Sequence, residues 1–171
     1  MDKLEFSKTS LQGVISIRPA TNFEDFRGSY VEIYNKKLFQ NAGFTQDFVQ
    51  DDVSTSYRNV LRGIHGDSKT WKLVSCLKGS FYLVVVNNDS SSPEFGKWEG
   101  FTLSDVNRMQ VLIPPKFGNG HLVLSESAIF HYKQTTEYDR SSQFTLLWND
   151  PKLDIYWPID NPTLSRRDSG H

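Results

Sequence analysis

The stretch "KLVSCLKGSFYLVVVN", residues 72–87, reads as two strands turned back on each other at Lys78-Gly79. Glycine reaches the positive φ that a tight hairpin turn demands. The second limb has no polar position from Phe81 to Val86, as a strand covered on both faces requires, so the sheet that holds it needs a layer on each side. Working outward, strands read at "GVISIRP" (13–19), "GSYVEIY" (28–34), "FVQDDVSTS" (48–56), "WEGFTLS" (98–104), "MQVLIPP" (109–115), "GHLVLSE" (120–126), "AIFHYKQT" (128–135) and "FTLLW" (144–148). Most are bounded by Gly, Pro or Asn/Asp/Ser clusters. One short helix fits "KKLFQNAG" (36–43), with Gly43 as its stop. The last stretch, from Trp148, holds three prolines and two tryptophans with little periodicity and is expected to wrap over the body as an ordered tail. Many short strands spaced this way indicate an all-β jelly roll with its ligand between the sheets.

At 171 residues, with 37% hydrophobic and 13% aromatic content, the chain has the material for one domain over residues 1–171. A formal net charge of -1, from 19 Lys+Arg against 20 Asp+Glu, leaves no electrostatic footprint for nucleic acid or a membrane surface. An anionic ligand must therefore be held by a few placed cations. "MDKLEFSKTS" has no apolar signal core and no run reaches a membrane span, so a cytoplasmic location is expected. The single cysteine, Cys76, fits a reducing compartment and reads as a small buried hydrophobe.

Four histidines, His65, His121, His131 and His171, form no zinc signature, and "His65-Gly66-Asp67" stands where a metal-binding cupin would carry His-x-His. By itself His65 reads as an ordinary core or surface imidazole. Alternation from Leu61 puts Leu61, Gly63 and His65 on one face and Arg62 and Ile64 on the other, but a bulge at Gly63 would bring Arg62 and His65 into one cavity, where Arg62 could serve a phosphate. In "AIFHYKQT" the residues Ala128, Phe130 and Tyr132 share a face, opposite Ile129, His131 and Lys133. Taken singly, Tyr132 is a core tyrosine, Lys72 a strand end and Asp168 a solvated residue of the tail.

The order of the blocks changes those readings. From "EDFRGSYVEIYN" through "FVQDDVSTSYRNVLRGIH", "KLVSCLKG", "SPEFGKW", "IPPKFGNGHLVLSE", "HYKQTTEY" and "LLWNDP" to "IYWP" and "SRRD", the chain resembles the nucleotide-sugar 3,5-epimerases, typified by the dTDP-4-dehydrorhamnose 3,5-epimerases, over nearly all of residues 12–168. The resemblance implies a cupin-type jelly roll (double-stranded β-helix) with short peripheral helices, a homodimer that shares an N-terminal strand, and no metal or organic cofactor. It implies His65 as catalytic base, Tyr132 as the opposing acid, Asp168 as the carboxylate that orients the histidine, and Lys72 as donor to the sugar ketone. It assigns Arg27 and Arg62 to the diphosphate, with Arg27 reaching the neighbouring subunit's site. Glu32, Gln50 and Tyr138 line the nucleotide pocket, Tyr138 by stacking on the base, and Arg167 joins the substrate contacts. The chain departs from the family pattern at Asp52, at Asn119 and His121 in "KFGNGH", and at Tyr138-Asp139. Asn119 and the shifted His121 resemble relatives that act on GDP-linked 4-keto-6-deoxy-heptoses in capsule synthesis, so that substrate is expected first and dTDP-4-keto-6-deoxy-glucose second. The competing readings are a 3,4-ketoisomerase, whose paired histidines after Arg-Gly are absent, and a silent sugar-binding cupin, which would have no need to retain His65, Tyr132, Lys72 and Asp168 together.

Overall fold

The computed structural model describes residues 4–170. Its elements in chain order are β1 (Glu5–Lys8), β2 (Ile15–Arg18), β3 (Thr21–Asp25), β4 (Gly28–Val31), α1 (Lys36–Asn41), β5 (Gln50–Tyr57), β6 (Leu61–Gly66) and β7 (Lys72–Lys78). They continue with β8 (Ser80–Asn87), β9 (Trp98–Ser104), β10 (Gln110–Ile113), β11 (Phe117–Val123), β12 (Ser127–Gln134), a 3-10 turn at Arg140–Ser142, and β13 (Phe144–Thr145). A six-stranded sheet, β1-β2-β10-β7-β12-β5, stacks on a five-stranded sheet, β13-β6-β11-β8-β9, and β3-β4 forms a hairpin of its own. This is the expected all-β jelly roll. Val74, Val111 and Phe130 from the first sheet meet Phe81, Leu83, Val85 and Leu103 from the second in the core between them.

The hairpin at the centre of the sequence reading is present, with Gly79 at φ 75 between β7 and β8. Strand β8 is covered on both sides: Phe81, Leu83 and Val85 face the core, while Val84 and Val86 pack outside it with Leu61, Ile64, Leu122 and Trp157. The outer cover is the segment after Trp148. Trp157 is 7% exposed and donates its indole N–H to Trp148 O at 2.8 Å. Thr163 pairs with the backbone beside β6, donating to Asn59 O at 2.8 Å and accepting from Leu61 N at 3.0 Å. One buried tryptophan removes about 150–250 Å² from water, at most roughly 4–6 kcal/mol at the usual transfer coefficient, which is enough to fasten an irregular segment.

On the outer face of the six-stranded sheet, α1 lays Phe39 against Ile17, Leu73 and Leu112. Asn35 caps the helix by accepting the Leu38 N–H at 3.3 Å, and Gly43, at φ 92, ends it. Cys76 is buried, and burial first, then the Asp105 charge, pushes its thiol up to about 12, which makes it inert. Among the described residues no helix is long and apolar enough to cross a membrane.

The strand boundaries differ from the sequence reading where alternation fails. β1 and β3, "EFSK" and "TNFED", are short polar strands with no apolar period. β4 stops at Val31 rather than residue 34, and of "FTLLW" the strand β13 covers only Phe144–Thr145, although Leu146 still exchanges backbone hydrogen bonds with Ile64 of β6 at 2.9 and 3.4 Å. β11 starts at Phe117, three residues earlier than read, since Gly118 and Gly120 carry no side chain to show a period.

Candidate active site

Strand β6 decides the site. Asn119 on β11 pairs with His65 and His121 pairs with Arg62, so the single residue Gly120 faces the two residues Gly63 and Ile64. That is a β-bulge, and it turns Arg62 and His65 to the same cavity. Only glycine fits at its first position. Gly63 has φ 111, and a Cβ there would lie 2.6 Å from both Asn119 O and the Gly120 Cα. The Gly63–Ile64 peptide bond is cis.

The cavity, about 320 Å³, lies between the sheets. His65, Arg62, Asn119 and His121 enter it from the five-stranded sheet; Tyr132, Lys72 and Asp52 enter from the six-stranded sheet; Tyr138, Arg167 and Asp168 come from the chain after β12. That volume is within the range of small-ligand sites, which begins near 300 Å³. Phe130, Tyr132 and Gln134 line it from one face of β12, in the alternation the sequence displays.

His65 Nε2 and Asp168 Oδ1 are 2.7 Å apart, and Asp168 is 3% exposed. An ionised carboxylate can only accept, so Nε2 carries the proton and Nδ1 keeps the lone pair that can take one. Burial pushes the Asp168 carboxyl up, but the hydrogen bonds from His65 and Ser165 and the charge on His65 outweigh it and hold the acid below its ordinary range. Lys72 is buried, and its ammonium donates to Asn119 Oδ1 at 3.4 Å and lies 6.0 Å from the centre of the Tyr132 ring. Burial lowers its pKa, against the opposing charge of Asp67. A lysine stripped of water has lost the shell that would compete for its hydrogen bonds. Tyr132 is shifted up, by burial first and then by the Asp52 carboxylate, so the phenol keeps its proton.

Other groups are fixed by neighbours. Arg62 donates Nε–H to Ser56 Oγ at 2.8 Å, and Arg167 donates to Thr145 Oγ1 at 3.0 Å. Burial, then the Arg62 charge, push the His121 imidazole down to about 3; it is neutral and stacks on Phe130, centroids 4.1 Å apart and planes 9° apart. Gln50 does not line the cavity but braces it, accepting the Tyr138 N–H at 2.9 Å and donating to Asp52 at 2.8 Å. Two sequence-read residues lie elsewhere. Arg27 sits exposed on the β3–β4 hairpin, paired with Asp25 at 2.6 Å, and Glu32 is exposed just beyond β4. The β3–β4 hairpin is hydrogen-bonded to neither main sheet.

The sequence reading passed over Ser54, Phe130, Gln134, Gln143 and Ser165 as cavity walls. Gln134 shares the face of Tyr132, and Ser54 shares that of Asp52, so period two could have found both; Gln143 and Ser165, on irregular chain, left no such signal. Among the described residues no group of three or more His, Cys, Asp or Glu could hold a metal ion.

The arrangement is an imidazole braced by a buried carboxylate on one sheet, a phenol on the facing sheet, and cations between. The profile of the dTDP-4-dehydrorhamnose 3,5-epimerase family matches residues 8–171. A dTDP-4-dehydrorhamnose 3,5-epimerase of Shigella flexneri is 41% identical over 165 residues, 94% of this chain and 91% of its own. Among solved structures, a dTDP-6-deoxy-D-glucose-3,5-epimerase of Legionella pneumophila Philadelphia 1, in complex with dTDP-4-keto-L-rhamnose, is 37% identical with a TM-score of 0.93, over 98% of this chain and 91% of that one. A 3'-monoepimerase from Streptomyces bikiniensis, in complex with dTDP-quinovose, is 31% identical with a TM-score of 0.89, over 95% of this chain and 84% of that one.

Proposed function

Because the chain belongs to the dTDP-4-dehydrorhamnose 3,5-epimerase family, and is therefore a sugar-nucleotide epimerase, we propose that it inverts C3 and C5 of dTDP-4-keto-6-deoxy-glucose. The observation that carries the reading is the placing of His65, with Asp168 behind it, and Tyr132 on opposite walls of one cavity. The hydrogens on the carbons beside a ketone are acidic, since removing either leaves an enolate. His65 Nδ1 takes such a hydrogen as a proton, and Asp168 stabilises the imidazolium that forms. Lys72 donates to O4 as negative charge gathers there, a role whose loss typically costs about 2.7–4 kcal/mol. Tyr132 then delivers its own proton to the opposite face of the same carbon, and the configuration is inverted. Arg62 and Arg167 hold the diphosphate, for which the guanidinium fork is suited.

The relatives aligned over nearly the whole chain carry dTDP-sugar names, and this favours dTDP over the GDP-linked heptose that Asn119 and His121 suggested. The capsule role rested on the same two residues and is withdrawn with it. The single cysteine and a nucleotide-sugar substrate agree with a cytoplasmic reaction.

Incubation with dTDP-4-keto-6-deoxy-glucose in D2O tests the function. Deuterium at C3 and C5 of an inverted product, read by NMR, is expected. Deuterium at C3 alone narrows the activity to a monoepimerase, and its absence from both carbons, with every nucleotide tried, refutes the reading.

The proposal includes a homodimer. The β3–β4 hairpin exposes Phe23, Phe26 and Tyr30, and the outer face of β5 exposes Val53 and Tyr57, apolar surface that a second copy would cover. Arg27 is then available to the neighbour's diphosphate. Sedimentation velocity should give the mass of two chains; a monomer at micromolar concentration would sink the assembly.

A further inference from the structure

The cavity holds a second carboxylate to which the chemistry above gives no task. Asp52 stands opposite Tyr132 in the β5–β12 register, and both line the cavity. Its Oδ2 accepts from Gln50 Nε2 at 2.8 Å and from Gln134 Nε2 at 3.2 Å. With Oδ2 occupied twice, Oδ1 is the oxygen left to face the Tyr132 hydroxyl across the register pair. The phenol otherwise packs on Phe130, centroids 5.6 Å apart, with Lys72 and Tyr138 among its charged and titratable neighbours and His65 on the opposite wall. The two carboxylates in the cavity thus divide the work, Asp168 serving the base and Asp52 serving the acid.

Each inversion leaves His65 as an imidazolium and Tyr132 as a tyrosinate. The tyrosinate then lies beside an anion in a half-buried setting, and two such anions compete for one proton. A sugar ring in the slot would cover the cavity side of the phenol, while Asp52 is only partly buried.

We propose that Asp52 is the relay that returns a proton to Tyr132 after each donation. A solvent proton binds the Asp52 carboxylate; that new O–H bond breaks as another forms on the tyrosinate oxygen; Asp52 ends as the carboxylate it began as, and the His65 imidazolium gives its proton back to solvent, so the count closes. The relay rests on the epimerase reading, because only a donor that loses its proton needs one back. Asp52 acts through Tyr132 and touches no reacting carbon.

The test compares the first turnover with the steady state on dTDP-4-keto-6-deoxy-glucose. In D52N the steady-state rate should fall by about 10²-fold, the lower end for a lost proton-transfer group. The first turnover, with enzyme in excess and Tyr132 already protonated, should fall much less. In D52A, which opens room for a small acid, millimolar formate should restore steady-state turnover, and it should not restore a His65 variant. Equal falls in both phases with no formate rescue would overturn the relay and leave Asp52 a brace for the cavity wall. A steady state at the wild-type level in D52N would also overturn it. Wild-type protein inactive on every 4-keto sugar nucleotide would instead bring down the epimerase reading, and the relay with it.

Discussion

Replacing His65 by glutamine is expected to abolish deuterium exchange at both C3 and C5, lowering kcat by about 10²–10⁴-fold, the usual contribution of a positioned base. Glutamine is the informative choice because Nε2, not Nδ1, meets Asp168. The amide nitrogen of glutamine can still donate to that buried carboxylate, whereas a side chain that cannot reach it would leave a buried anion unpaired, at a cost of about 3–5 kcal/mol. The fold should therefore survive with no group able to take the proton. Exchange and inversion must fail together, since no enolate forms. Full exchange in H65Q, measured by NMR in D2O, would show that another residue is the base.

Tyr132→Phe should separate what H65Q leaves joined. His65 can remove the proton and return a deuteron to the same face, so exchange into recovered substrate should persist. Inversion lacks its donor and should fall by about 10²–10⁴-fold. Phenylalanine keeps the packing against Phe130, so loss of the hydroxyl is the main change. Inverted product formed at the wild-type rate would remove Tyr132 from the mechanism. The pair of variants also locates the committed step, because only a base that works without its partner gives exchange without inversion.

The parts of this architecture that were legible in the sequence are those written in local period. The apolar limb of β8, the turn at Gly79 and the face shared by Phe130 and Tyr132 all follow from alternation and glycine. The bulge at Gly63 was legible for the same reason, as a glycine interrupting an apolar run beside Arg62 and His65. What stayed hidden depends on pairing between distant strands. That Asp52 stands beside Tyr132 is a statement about the register of β5 against β12, separated by eighty residues of chain, and neither strand states it alone. Asp168 carries no local mark, and its place behind His65 came only through family resemblance. Arg27, read as reaching the neighbouring subunit's site, and Glu32, read as lining the nucleotide pocket, lie on and just beyond a hairpin that does not line this chain's cavity.

Asp168 follows His65 by 103 residues. A chain emerging from the ribosome, which completes its N-terminal portions first, would display the slot, the phenol and the lysine well before the histidine acquires its counterion. If Asp168 serves His65 as proposed, newly made protein stays chemically idle until that last segment closes, and a translation product cut short before it would be a shell without chemistry.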